Sequence, residues 1–263
     1  MSYKIKAVVL TANKLRHNYF TKVVAENFDL KGVIRQPKKI YYGKDVYESS
    51  LVTSHFKSLS AKEEQYFGAY SGYIKEALTC GVLETDDINS KECIQWVKKQ
   101  NPEVIFLFGT KILSQDWFDT FGNVVNLHLG LSPFYRGSAT LFWPFVNREL
   151  CCVGATIHLA VEEVDAGPII HQVKPDIELG DDYYEINYKT IKKSIDTLAT
   201  VTFDYLKGDL RPIPQKGLLK GDLYKKIDFT EEVLKKMLRF IGDGVTRRQL
   251  DENARSNRCK CLQ

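Results

Sequence analysis

The stretch Asn126–Gly137, NLHLGLSPFYRG, puts an amide and an imidazole two residues apart at the end of an apolar run. It then enters a polar loop carrying Ser132, Pro133, Tyr135, Arg136 and Gly137. Strand side chains alternate faces, so Asn126 and His128 point one way while Val125 and Leu127 point the other. Two buried polar groups left unpaired cost about 1–3 kcal/mol each, so this spot requires protein partners or a visiting ligand. A carboxylate, Asp165, follows on the loop EEVDAG, where Ala166 and Gly167 let the backbone come close. Amide, imidazole and carboxylate suit acyl transfer to an amine, which needs a donor for a tetrahedral oxyanion and a group to handle the amine proton. Asn126 can donate, His128 can donate or accept, and Asp165 can orient His128 or receive the proton.

Other chemistries fit less well. A nucleophile elbow needs GxSxG, but Gly130, Leu131, Ser132 and Pro133 run into Phe134. Metal catalysis has no HExxH; His158 and His171 fall on separate strands and His55 stands alone, so all three are read as structural and no metal is expected. Neither GxxxxGK[ST] nor GxGxxG occurs, and the loop TANKLRH (11–17) contains no glycine. An anion held there would use Asn13, Arg16, His17 or the following helix N-terminus.

The elements that must position these groups read as an α/β alternation. Strands are predicted at Tyr3–Thr11, Lys31–Arg35 and Glu103–Phe108, with a helix at His17–Phe28 and amphipathic helices at Ala61–Leu78 and Ser90–Lys99. Gln36–Ser60 reads as loop and short elements. After a short helix at Ser114–Phe118 and the strand ending at His128, a helix is predicted over Ala139–Asn147. Val153–Val161 and Pro168–Val173 form a predicted antiparallel hairpin, making the sheet mixed, and Asp182–Leu206 a long amphipathic helix. Beyond RPIP (211–214), a strand around Leu223–Phe229, a helix at Glu231–Ile241 capped by Thr230, and a polar tail are expected. The loops TANKLRH, FGTKIL and LGLSPFYRG should leave one sheet edge together and form a cleft.

Composition sets the class. With 44% hydrophobic and 27% charged residues the chain is globular, and no repeat or low-complexity tract interrupts it. No segment approaches the roughly 18 apolar residues of a membrane span, and the N-terminus lacks a signal-peptide pattern, so the expectation is a cytoplasmic protein without a membrane partner. The six cysteines (80, 93, 151, 152, 259, 261) lack paired CxxC spacing and are expected to be reduced thiols. CKCLQ is not a prenylation box. A net charge of +4 argues against nucleic acid, and the basic cluster Arg247, Arg248, Arg255, Arg258 and Lys260 sits in a tail expected to be mobile.

The blocks VVNLHLGLSPFYRGSAT and VGATIHLAVEEVDAGPII resemble the family of formyltransferases that use 10-formyltetrahydrofolate. That family is marked by an Asn-x-His strand end, a Pro-x-aromatic-basic-Gly loop, and a Gly-x-Thr-x-His strand leading to Asp-x-Gly. The likeness is strong over Glu103–Gln172 and weak elsewhere. It implies a Rossmann-like α/β fold with a mixed, mostly parallel sheet. The implied catalytic domain covers 1–210, and a small C-terminal extension of strand, helix and polar tail covers 211–263. Asn126, His128 and Asp165 match the catalytic triad. The folate donor's pterin would lie between Phe108, Gly109, Thr110, Ile112 and Leu113 on one side and Val161, Glu162, Val164 and Asp165 on the other. Without a glycine-rich phosphate loop or a large second domain, the chain is most similar to members that formylate amino sugars on nucleotide carriers. Formylation of hydroxyornithine is the alternative, and a non-catalytic folate binder a further one. Asn13 and Arg16 become candidates for the carrier, and Ser132, Tyr135, Arg136 and Gly137 for the acceptor; the sequence is compatible with a homodimer.

Overall fold

Alternating apolar strands and amphipathic helices build the molecule, seen in a computed structural model that describes residues 4–37, 49–218, 221–256, 258–259 and 261–262. The strand β1 (Lys6–Thr11) leads to helix α1 (Leu15–Asn27) and β2 (Asp29–Arg35). Helix α2 (Ser50–Phe67) starts where the Ser49 hydroxyl accepts from the Val52 N–H at 3.3 Å, which satisfies one orphan donor of the first turn. Then come α3 (Tyr73–Glu76), β3 (Gly81–Glu84), α4 (Lys91–Lys99), β4 (Val104–Phe108), α5 (Gln115–Thr120) and β5 (Val124–His128). The second half holds β6 (Tyr135–Gly137), α6 (Trp143–Val146), β7 (Ala155–Leu159), β8 (Ile169–Val173) and α7 (Tyr183–Lys207), followed by β9 (Asp222–Tyr224), α8 (Glu231–Ile241) and α9 (Arg247–Arg255).

The main sheet runs β3-β2-β1-β4-β5-β7-β8. Pairing is parallel from β3 to β5 and antiparallel from β5 through β8. The chain moves outward from β1 in both directions, so the carboxyl ends of β1 and β4 flank a topological switch point, the usual ligand crevice of such sheets. The three predicted polar loops leave β1, β4 and β5 on this shared edge, as parallel pairing requires. Val125 and Leu127 join the apolar cluster that holds Phe20 of α1 and Leu198 of α7. Asn126 and His128 therefore face the opposite side, where Leu107, Leu113 and Trp117 pack.

Several expectations are corrected. The helix expected at Ala61–Leu78 begins eleven residues earlier because Ser49 caps it, and it ends at Phe67 before a 3-10 turn and the short α3. The exposed edge strand β3 escaped notice because it lacks an apolar face. Ala139 takes φ 55°, in the left-handed region, so only Trp143–Val146 of the expected Ala139–Asn147 is helical. The strand after Leu223 stops at Tyr224 and gives way to a 3-10 turn over Lys226–Asp228. Most consequential is the tail: α9 is capped by Thr246, and Cys152 and Cys259 form a disulfide across 107 residues. Two of the cysteines expected to be reduced are thus paired, because tail packing unites segments whose spacing in sequence carries no signal. Gly180 N–H donates to Val245 O at 2.9 Å, and Val245 N–H to Asp181 O at 2.9 Å, so the tail is docked, not loose. Tyr3, residues 38–48 of Gln36–Ser60, and Lys260 lie outside the described residues. No described helix is long and apolar enough to cross a membrane.

Candidate active site

The end of β5 carries the first two site residues, and the neighbouring antiparallel strand sets Asn126 opposite His158. His158 Nδ1 lies 2.8 Å from the carbonyl of Leu159, an acceptor only, so Nδ1 holds the proton and Nε2 keeps a lone pair. Asn126 Nδ2 sits 2.9 Å from that Nε2 and donates to it, which fixes the amide and leaves its second N–H for another acceptor. His158, expected to be structural, is thus the residue that orients Asn126. Its place opposite Asn126 follows from the register of β5 against β7, a pairing that the predicted β7–β8 hairpin does not specify.

His128 is buried with both ring nitrogens facing acceptors. Nε2 is 2.9 Å from the Tyr135 carbonyl and Nδ1 is 3.2 Å from Asp165 Oδ1. The imidazolium satisfies both at once. Burial pushes the His128 pKa down, but the Asp165 carboxylate and the Tyr135 carbonyl push it up further, and the net shift is upward. Burial likewise pushes Asp165 up, and the charge and hydrogen bond of His128 reverse this and hold the carboxyl well below the usual range. Asp165 Oδ2 accepts the Gly137 N–H at 2.9 Å, and Oδ1 lies 3.8 Å from His158 Nε2.

Gly130 makes room for this arrangement: a Cβ there would stand 2.6 Å from His128 Nε2 and 2.6 Å from the Tyr135 carbonyl. At the hairpin, a Cβ on Gly167 would meet the Leu159 carbonyl at 1.7 Å, so only glycine lets the Asp165 loop fold back.

The loop residues divide by role. Tyr135 is buried and its hydroxyl donates to Glu149 at 2.6 Å, so its carbonyl, and not its ring, serves the site. Ser132 is fully buried with its N–H on Thr156 Oγ1 at 2.9 Å, and the Ser132–Pro133 peptide is cis. Arg136 is buried, with one guanidinium nitrogen 3.3 Å from Glu163 Oε1. Gly137 lies in β6, which pairs with β9 from beyond Arg211.

Across the switch point, Thr11 Oγ1 donates to the Phe108 carbonyl at 2.9 Å and accepts from His17 Nδ1 at 2.8 Å. The loop 109–114 is pinned from outside: Lys111 N–H donates to Gln36 at 3.0 Å, and Asn89 holds Ile112 O and Ser114 N, each at 3.0 Å. Arg16 is engaged by Glu63 at 2.8 Å, while Asn13 is exposed. Leu113 is buried in one apolar cluster with Leu107, and Ala160 packs on it; Ile112 and Val161 stand 63% and 39% exposed on its rims. Thr110 and Glu162 line the same loops, and Val164 precedes Asp165.

Solved structures share this architecture. A sugar N-formyltransferase from Shewanella sp. is 17% identical, with 90% of this chain and 88% of that chain covered at a TM-score of 0.58. Phosphoribosylglycinamide formyltransferase from Anaplasma phagocytophilum is 15% identical, with coverage of 85% and 99% and a TM-score of 0.55. An N-formyltransferase from Helicobacter canadensis, in complex with folinic acid and dTDP-3-aminofucose, is 13% identical, with coverage of 88% and 79% and a TM-score of 0.55. At such identities these likenesses establish the fold. Residues 17–202, from α1 into α7 and spanning both halves of the site, match the formyl transferase family model. The chain belongs to the formyl transferase family.

Proposed function

We propose that this formyltransferase passes the formyl group of 10-formyltetrahydrofolate to the primary amine of a nucleotide-linked amino sugar, as a cytoplasmic enzyme acting on small molecules. One observation carries the reading: the end of β5, with Asn126 and His128, meets the hairpin loop that carries Asp165, with charge and hydrogen bonds that suit an acyl transfer. The donor fits the residues present. Leu107, Leu113 and Ala160 supply an apolar wall on the face that Asn126 shares, and the exposed Ile112 and Val161 extend it. Phe108, Gly109, Thr110, Ile112 and Leu113 would hold a flat heterocycle against Val161, Glu162, Val164 and Asp165. Bound there, the folate supplies an activated formyl carbonyl.

The free N–H of Asn126 stabilises the negative charge that collects on the formyl oxygen. The positive His128 adds to this at close range. Asp165, held in its ionised form, is a poor proton acceptor and acts by keeping His128 charged and oriented. The amine proton ends on the leaving nitrogen, so the site needs a relay and not a sink, and the His128–Asp165 pair can lend and recover one proton. Asn13, beside the β1/β4 crevice, is assigned to the nucleotide carrier; Arg16, tied to Glu63, lines it. Ser132, Tyr135, Arg136 and Gly137 shape the acceptor side.

The test follows tetrahydrofolate release with amino sugars on dTDP, GDP or UDP, beside hydroxyornithine and glycinamide ribonucleotide. Turnover of one sugar nucleotide at least tenfold above the others is expected. Preference for hydroxyornithine establishes the alternative acceptor, and folate binding without turnover of any amine refutes the enzymatic reading.

A further inference from the structure

Gln215 lies beyond the matched residues 17–202, in the segment after α7, yet its side chain holds the Asp165 loop. Its amide Nδ-equivalent nitrogen, Nε2, donates to the Asp165 carbonyl at 3.0 Å and to the Gly167 carbonyl at 2.6 Å. The placement is built. Ile213, between Pro212 and Pro214, pairs with Ile169 at the start of β8 through two reciprocal bonds of 2.8 Å. Antiparallel register then sets Gln215 opposite Gly167, two residues on in one direction and two back in the other. The prolines keep this stretch extended.

Two features mark the side chain as a fastener and not a filler. Gln215 is 4% exposed, and its Oε1 is buried without a hydrogen-bond partner. A buried acceptor left unmet is unfavourable, and an apolar residue of similar size would avoid it; only the donor half of the amide is used. What it fastens is strained: Asp165 takes φ 51°, the left-handed region that side chains avoid. Two carbonyls drawn to one amide hold that turn and aim the carboxylate at His128 and the Gly137 N–H.

We infer that Gln215 is a positioning residue for formyl transfer, acting through Asp165 by clamping the carbonyls of Asp165 and Gly167. The inference rests on the catalytic reading of Asp165. It also makes the stretch after Arg211 part of the catalytic unit: Gln215 braces one site loop and β9 braces the other through Gly137.

A double-mutant cycle tests it in the full-length chain. Gln215→Ala is expected to lower kcat at least about tenfold with both KM values changed less than about threefold, and Asp165→Asn to lower kcat at least about a hundredfold. In the double variant, Gln215→Ala adds no further loss, because a carboxylate no longer exists to be aimed. A merely structural glutamine gives losses that multiply. Gln215→Met keeps the length and loses the donor, so its rate is expected to match that of Gln215→Ala. This variant serves where Gln215→Ala fails to fold. Full turnover in Gln215→Ala or Gln215→Met, or multiplying losses, overturns the positioning role while Asp165→Asn remains crippled. Wild-type turnover in Asp165→Asn overturns the catalytic reading itself and the inference with it.

Discussion

The loops leaving β5 and β1 carry similar polar residues but are tied down differently. After β5, Asn126 is held by His158, His128 by Asp165 and Tyr135, Gly137 by Asp165, and Ser132 by Gln172 at 2.7 Å. Apart from Tyr135 of β6, these partners come from β7, β8 and the loop between them. After β1, Thr11 bonds both His17 and the Phe108 carbonyl, Arg16 is paired with Glu63 of α2, and Asn13 is exposed. One loop is cross-braced by distant segments around its reacting groups, and the other is braced at its base and open at its tip. Groups that must meet a transition state benefit from such bracing, because dipoles fixed in advance need no reorganisation during the reaction. A loop that accommodates a variable carrier does not need it. Changes near β5 should therefore appear in kcat, and changes near β1 in stability or KM.

His128→Asn should have the largest effect, a fall in kcat of about a hundred- to ten-thousand-fold, the usual range for a proton-handling group. Folate binding, followed by titration calorimetry, should persist. A rate near wild type would place the chemistry elsewhere. Gly130→Ala comes next, since its Cβ would press on His128 Nε2 and the Tyr135 carbonyl at 2.6 Å each. Turnover should drop at least about tenfold, with stability lower by about 1–3 kcal/mol in urea melts. Loss of stability alone would show that the His128–Tyr135 contact is not needed for turnover.

The charged pair predicts a pH dependence with a definite sign. His128 is raised in the folded protein, so its contribution is fully present below its ordinary value of 6.5 and disappears as pH rises through the raised one. Asp165 is lowered, so its contribution is fully present above its ordinary value of 3.8 and disappears as pH falls through the depressed one. Both act together between those ordinary values. The stability difference between wild type and Asp165→Asn should be greatest between those ordinary values and shrink as the pH rises through the raised value of His128. A difference independent of pH would mean that the pair is not ionic.

Arg16→Ala should be the mildest in turnover. It takes the guanidinium from Glu63, which keeps the backbone N–H of residue 16 at 3.1 Å, and should lower stability by about 1–2 kcal/mol, with kcat within about twofold of wild type. If the acceptor KM rises tenfold with stability intact, Arg16 belongs to the ligand and not to α2, and the contrast between the two loops narrows.

Local pattern determined a good deal of this protein. Apolar runs marked β1, β4 and β5, the cap Thr230 marked a helix start, and strand alternation placed Asn126 and His128 on one face. These are short-range signals, set by backbone geometry within a few residues. The Asp165 loop was legible too, since its residue types restrict the turn. What tertiary structure alone decided were contacts between segments with no local relation. Tail packing brought Cys259 to Cys152, the return of the chain along β8 brought Gln215 to Asp165, and β9 closed on the loop of Gly137. The identity of such partners depends on which distant surfaces come into register, which no periodicity or spacing encodes. The charge state of His128 belongs to the same class: it follows from burial set against a carboxylate 3.2 Å away, and neither exists until the chain is folded.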